Sequence, residues 1–534
     1  MMKEEQLFND RLHKFYDELK WLYCEFYQNE ENPMEKFECV VKDLKEQYKV
    51  REAYLKELDF SRFNDKNWYK VQNFIGMMMY VEYFSNNLKG FEKRLPYLQE
   101  SNINYIHLKS QTKLKIKNNK KKNENYFEEK FGKISDLEKL TKKCHKNNIS
   151  IGWDFVLKDF NEINADEFRI MVNNLLNLAN WGIDIIHLEN LQIQKDECLE
   201  NKQHNLLRML RIITEIVCPA VLFAGNIDTA IDKNVRAYFG SKEKPQLHIL
   251  SNQIMKNTLW HTVATRDVAL LKYEVDQYEA IAKENIWQNF IHDESTIQWN
   301  LNYKFLQTKG INENMHKEFL NEFFTGKFTG SFSCGLMQDN GICGTTASLC
   351  GIEYFDKQKK QKENIAKAIN LDLLIHGFLL TLTGIPMLYS GDEIAQYNNY
   401  DYQADKHKKE DNQYVHRSMF NWRKAGRRKI NNAIQSKIYQ GINKLEKLRS
   451  VYKVFGLTSK CYTVDTWSKN ILAIVRETDT EKLIALYNFS EQEDTAWIDE
   501  KNTVYKNLLT KEKDVKVSGI KLPAYNMMWL WRNK

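Results

Sequence analysis

The side chains best placed for chemistry stand at the ends of short apolar runs. Trp181-Gly-Ile-Asp-Ile-Ile-His-Leu-Glu-Asn190 closes on Glu189, with His187 two residues before it. In a parallel α/β barrel, a carboxylate at the C-terminal end of a strand sits at the open face, where chemistry is done. Asp154 holds a comparable place in the run Ile149 to Leu157, and Asp228 closes the segment "VLFAGNID", just past its apolar run. His292, Asp293 and Glu294 form a polar strand end, and Asp392-Glu393 follows the run from Gly384. Each group also has a purely structural reading. Glu189 and His187 suit a hydrogen-bonded pair in a collapsed pocket, and Asp154 suits a cap on strand-end backbone donors. Asp392 and Glu393 suit orientation of a loop through backbone hydrogen bonds. His-x-Glu at 292–294 does not by itself make a metal site, so no metal is expected.

These residues need a scaffold, and the chain is long enough to supply one. Its 534 residues, 43% hydrophobic and 13% aromatic, describe an ordered protein of more than one domain. A net charge of +7 is small for this length and does not indicate a nucleic-acid partner. The run Lys120-Lys121-Lys122 lacks interleaved aromatics and reads as a solvated loop. With 21 Gly and 6 Pro, the composition favours helices and short loops. Nine scattered cysteines contain no CxxC pair, so neither a zinc site nor a disulfide framework is expected. The first residues lack a signal-peptide core, and a reduced cytoplasm is the expected compartment. The long apolar run Leu371 to Tyr389 is interrupted by Asp372, His376, Gly384 and Pro386. It reads as a buried helix followed by a buried strand, not a membrane span.

Three regions are expected. Residues 1–70 carry Phe8, Leu12, Phe15, Leu19 and Leu22 at helical spacing and predict a helical N-terminal domain. Residues 71–450 alternate short apolar runs with helices, the pattern of repeated βα units. Strands are predicted over Met77 to Phe84, Asn104 to Leu108, Ile149 to Leu157, the stretch closing on Glu189, Ala220 to Phe223, Gln246 to Ser251, Phe290 to Glu294, and from Gly384. Residues 451–534 alternate apolar runs such as "NILAIVRE" and "KLIALYNFS", predicting a small antiparallel β domain.

The segments "NLKGFEKRLPYLQESNINYIHL", "TLWHTVATRDVALL", "FTGKFTGSFSCG", "GTTASLCGIE" and "GIPMLYSGDEIAQYNNYDY" resemble, in order, the amylosucrase branch of glycoside hydrolase family thirteen, the α-amylase superfamily. The resemblance covers nearly the whole chain. It implies a (β/α)8 barrel with a helical N-terminal and a β C-terminal domain, and sucrose or an α-glucan as ligand. It places the covalent nucleophile at Glu189, and substrate-facing positions at Asp154, His187, His292, Asp392 and Arg417.

The chain departs from the family at each step of the chemistry. Retaining glycosyl transfer needs two carboxyls about 5–5.5 Å apart, one as nucleophile and one as proton donor. The family's Arg-x-Asp is His187-Leu188-Glu189 here, and its acid/base glutamate falls at Gly225-Asn226. Its transition-state-stabilising aspartate falls at Ser295, its strand-three histidine at Lys158–Asp159, and a sugar-gripping aspartate at Asn123. The family's insertion after strand three is essentially missing. The expected function is therefore a catalytically inactive relative that keeps a binding or regulatory role and needs no cofactor. Two alternatives stand beside it. One is a retaining glucosyltransferase or hydrolase that recruits Asp228 or Glu294 as acid/base. The other is a structural partner of another carbohydrate enzyme. Self-association or a protein partner is compatible with each.

Overall fold

Eight short runs become parallel strands that are almost wholly buried, the environment that β-branched and aromatic-rich runs fit. The computed structural model describes residues 2–65, 67–109, 131–191, 196–226, 237–279, 286–358, 362–500 and 503–534. The strands are Gly76–Tyr80, Tyr105–Lys109, Ser150–Val156, Ile185–Glu189, Leu222–Gly225, Ile249–Asn252, Ile286–Phe290 and Ile385–Tyr389. They close into a barrel in sequence order, with helices between them, and an antiparallel sheet follows. This is the expected fold class. Residues 157–164 alone separate the third strand from the helix Ala165–Asn180, so no inserted domain stands there.

The first, fifth, sixth and seventh strands shift most from their expected bounds, the sixth to Ile249–Asn252. The first strand ends at Tyr80, and Val81–Ser85 turns into a helix although its apolar character continues. The fifth is Leu222–Gly225. The seventh is Ile286–Phe290, so His292 to Glu294 lie beyond it, not in it. Gln288 and Asn289 are polar yet buried in that strand. Asn289 accepts from Asn252 (2.8 Å) and donates to the Thr383 carbonyl (2.9 Å), which removes the cost of burying it.

The chain falls into two compact units. The first comprises Met1–Tyr69, Tyr80–Leu95 and Asn104–Ser251. Its helix Met2–Phe26 packs on the barrel helix Glu197–Val217, and Pro33–Val50 packs on both Ala165–Asn180 and Glu197–Val217, with the helix Ala53–Asn64 following. Pro33 fits the first turn, where its missing N–H has no partner to lose, and Phe37, Val40, Val41, Leu44 and Tyr48 form the buried stripe. Arg51 then fixes the segment: it bonds both Asp59 oxygens (2.7 and 2.8 Å) and the Ala179 carbonyl (2.8 Å) while buried.

The second unit comprises Lys70–Met79, Pro96–Ile103 and Asn252–Lys534. The long apolar run forms the end of the helix Lys362–Thr381 and the strand Ile385–Tyr389. Buried Arg449 donates to the carbonyls of Leu380 (2.6 Å), Leu382 (3.2 Å) and Gly384 (2.9 Å), groups the helix end leaves without partners. The C-terminal part has six antiparallel strands and a separate two-stranded sheet, over a core that includes Ile471, Val475, Ile484, Leu486 and Leu530. All nine cysteines are free thiols. Among the described residues no helix is long and apolar enough to cross a membrane.

The buried acids give the protein a defined pH response. Burial raises the carboxyls of Glu274, Glu393 and Glu446 to about 7. Burial works against charge on His376, but Asp372 outweighs it and lifts the imidazole to about 8. A raised folded value means the folded state holds its proton more tightly. Stability from these groups is therefore present at low pH and lost as pH rises, from about 4.3 for the glutamates and about 6.5 for the histidine. Asp184 and Asp293 are held low by cationic partners that overcome burial, so their contribution is lost only as pH falls below about 4. Burial holds the imidazoles of His187, His261 and His416 neutral, so their contribution grows as pH rises to about 6.5, and thermal melting is expected to decline from about pH 7 to pH 8. A midpoint rising over that range would contradict these assignments.

Candidate functional site

Strand alternation puts Tyr105, His107 and Lys109 on one side of the second strand, Gly152 and Asp154 on one side of the third, and His187 and Glu189 on one side of the fourth. The strands pair in parallel with Asp154 beside His187 and Val156 beside Glu189. The result is a polar stack at the C-terminal strand ends of the first unit. His107 Nε2 donates to Asp154 Oδ1 (2.6 Å), and Lys109 Nζ lies 3.1 Å from Asp154 Oδ2 and 3.6 Å from Glu189 Oε1. The His107 and His187 rings stack 3.6 Å apart at 10°, and the Tyr105 hydroxyl meets His187 Nε2 at 2.5 Å.

Gly152 makes this arrangement possible. A Cβ there would stand 2.6 Å from the Tyr105 hydroxyl and 3.0 Å from its ring. Gly152→Ala is expected to push Tyr105 off His187 and cost about 1–3 kcal/mol, read by chemical denaturation. An unchanged midpoint would show that Tyr105 has room to move.

Electrostatics fix the protonation states. Burial favours a neutral Asp154, but Lys109 and then His107 outweigh it and hold the carboxyl well below the usual range. Burial, reinforced by His107, drives His187 far below its ordinary value and keeps it neutral. His107, Asp154 and His187 bring potential ligand atoms within 4.8 Å of one another. Their geometry does not suit one ion. The imidazoles lie in nearly parallel planes, so their in-plane lone pairs do not converge, and both Nε2 atoms are already engaged.

Asp154 therefore meets side-chain cations, where a backbone cap or a sugar contact had been expected. His187 turns to Tyr105 and His107, while Glu189 has Lys109 as an ionic neighbour and keeps 30% of its side chain exposed. Tyr105, His107 and Lys109 were not among the expected site residues. Their i, i+2, i+4 spacing, matching that of His187 and Glu189, is the signal that could have found them. Asp228 and Asn123 lie outside the described residues.

The second unit holds its own buried polar groups past the ends of the seventh and eighth strands. Asp392 accepts from Thr346 Oγ1 (2.9 Å) and lies 3.1 Å from His292 Nδ1, so side chains, not backbone donors, hold it. Glu393 accepts from the Gly391 N–H (2.8 Å) and the Tyr97 hydroxyl (2.7 Å), as loop orientation requires. Arg417, expected to frame a sugar pocket, donates from Nε to the Glu294 carbonyl (2.8 Å) and bonds Gln413. Burial, then His292, keeps His416 neutral, and it accepts from the Gly344 N–H while meeting the Glu294 carbonyl. Asp293 is locked by Lys256 (2.9 and 3.0 Å), Gln253 (2.9 Å) and Ser295 Oγ (2.6 Å). Ser295, at the position expected for a stabilising aspartate, is thus tied to a buried ion pair.

The closed barrel followed by an antiparallel domain is the architecture of the α-amylase fold. Among solved structures, the chain is similar to α-amylase from Geobacillus thermoleovorans complexed with acarbose (TM-score 0.56, 14% identity, covering 87% of this chain and 99% of that one). It is also similar to the trehalulose synthase of Pseudomonas mesoacidophila (0.58, 13%, 87% and 99%) and to trehalose-6-phosphate hydrolase from Bacillus licheniformis (0.57, 12%, 88% and 100%). Among curated proteins, glucosylglycerate phosphorylase of Escherichia coli (strain K12) is 21% identical over 380 residues, 70% of this chain. The match spans 64% of that relative's length, less than two thirds. No protein-family model matches the chain.

Proposed function

We propose that the protein is a degenerate, amylosucrase-like member of glycoside hydrolase family thirteen that holds a carbohydrate without turning it over. The observation that carries this reading is the Lys109 ammonium seated between Asp154 and Glu189. It places a resident cation beside the one carboxylate at the nucleophile position, while His107 and Lys109 occupy both Asp154 oxygens. A glucosyl oxocarbenium-like centre is itself cationic, and with Asp154 and Glu189 both paired to Lys109 little net negative charge is left there to stabilise it. Loss of an acid/base alone typically costs about 10²–10⁴-fold, and the strand-five position offers only Gly225 and Asn226.

The ligand we assign is a short α-glucan or sucrose-like sugar, in keeping with the acarbose, maltose and maltotriose complexes among structures of the same fold. Nine free thiols suit a reducing, cytoplasmic setting. Calorimetric titration with maltotriose and sucrose tests the binding: saturable heat from the wild type that weakens in Glu189→Ala supports it, and no heat from folded protein overturns it.

The 30% exposure of Glu189 favours a second reading, in which it is still a working nucleophile and Asp228 or Glu294 serves as acid/base. Product formation abolished by Glu189→Gln would establish that reading in place of the first.

A further inference from the structure

The second unit contains a cavity of about 310 Å³, at the low end of the range of small-molecule sites. None of its lining residues belongs to the strand-end groups described above. One wall is aromatic: Phe332, 39% exposed, packs on Phe355 with ring centroids 4.5 Å apart. Arg266 and Glu491 face the same space and form a bidentate pair at 3.0 and 3.1 Å.

Two further observations distinguish this cavity from a packing defect. Ser333 lines it at 7% exposure, and among the described residues its hydroxyl has no hydrogen-bond partner. Buried polar groups are almost always paired, so an orphan hydroxyl on a cavity wall marks a place for a ligand's polar atom. Tyr525, also lining, holds a left-handed backbone conformation (φ 52°), which non-glycine residues rarely adopt and which clusters at ligand clamps.

The chemistry selects the ligand class. Arg266 is paired with Glu491, while Lys367, with 40% of its side chain exposed, keeps its charge in solvent beside Glu363, so the cavity interior carries no unpaired charge. It offers an aromatic face, a guanidinium donor, a carboxylate acceptor and a hydroxyl able to do both. Ring hydroxyls, which donate and accept, and the apolar C–H face of a pyranose match that set. We propose that this cavity is a second carbohydrate site, taking one or two neutral glucosyl units. The proposal rests on the reading that the protein binds sugars, and adds a site separate from the barrel strand ends.

Maltose titrations of the full chain test it, using wild type, Phe332→Ala, Ser333→Ala and Glu189→Ala. Two sites are expected. Phe332→Ala and Ser333→Ala should each weaken one of them by about tenfold, the worth of a hydrogen bond or ring contact, and leave the other untouched. Ser333→Ala removes an unpaired buried hydroxyl, so its melting midpoint should be equal or higher, which separates lost binding from lost folding. A single site that responds to Glu189→Ala and ignores both cavity variants overturns the second site and leaves the barrel reading standing. A single site that responds only to the cavity variants does the reverse. No maltose binding at all overturns both.

Discussion

Lys256→Met is expected to lower stability by about 3–5 kcal/mol, because it leaves the Asp293 carboxylate buried without its counter-charge. Lys256 and Asp293 expose 1% and 4% of their side chains, and the ammonium contacts both carboxylate oxygens and Ser295 Oγ. Water cannot replace that ammonium at so little exposure. Gln253 and Ser295 still donate to Asp293, so the loss falls within the range for broken buried pairs and not beyond it. Adding Asp293→Leu to Lys256→Met should recover part of the loss, since the apolar pair has no charge to desolvate but leaves Gln253 and Ser295 without their acceptor. Urea denaturation of wild type, single and double variants measures both effects. A single variant as stable as wild type would mean that solvent reaches the pair.

Lys109→Met has the second largest expected effect, about 2–3 kcal/mol. The value is discounted because Asp154 and Glu189 keep 20% and 30% of their side chains exposed, and because His107 retains its hold on one Asp154 oxygen. The pH dependence has a definite sign. In the wild type Lys109 holds Asp154 low, so its contribution is present above about pH 4 and lost as pH falls. Without Lys109 that contribution shrinks. The gap between wild type and variant should be full near neutrality and close as pH drops below about 4. A gap that widens in acid would contradict the assigned pairing.

The barrel was legible in the sequence because its strands are short apolar runs separated by helical periodicity, and because segments such as "GIPMLYSGDEIAQ" keep a family's order. Boundaries were less legible where burial and polarity part company. Gln288 and Asn289 disguised the seventh strand because they are polar, and because the partners of the Asn289 side chain, Asn252 and the Thr383 carbonyl, lie far away in sequence. Val81 to Ser85 looked like a continued strand because a buried helical turn is equally apolar.

The individual carboxylates were visible; their neighbours were not. Glu189, Asp154 and Asp293 could be named from strand-end positions, yet the cations that neutralise them sit on other elements. Lys109 stands beside a lysine-rich stretch that reads as solvent-facing, and Lys256 lies in a helix whose apolar neighbours hide its buried role. Cross-strand pairing brings His107 onto His187, a contact between residues 80 positions apart that no local pattern reports. The cavity lined by Phe332 and Ser333 joins a loop, several helices and the C-terminal part, so it too exists only in the folded chain.

The decisive measurement is release of glucose and fructose from sucrose, and of glucose from maltooligosaccharides, by wild type beside Glu189→Gln. Each is run with and without inorganic phosphate, because the curated relative is a phosphorylase. A binding protein that has lost glycosyl chemistry predicts no product from either protein above the uncatalysed background, with or without phosphate. Release by the wild type that disappears in Glu189→Gln would contradict it, and would show that Glu189 still serves as nucleophile with an acid/base drawn from another part of the chain.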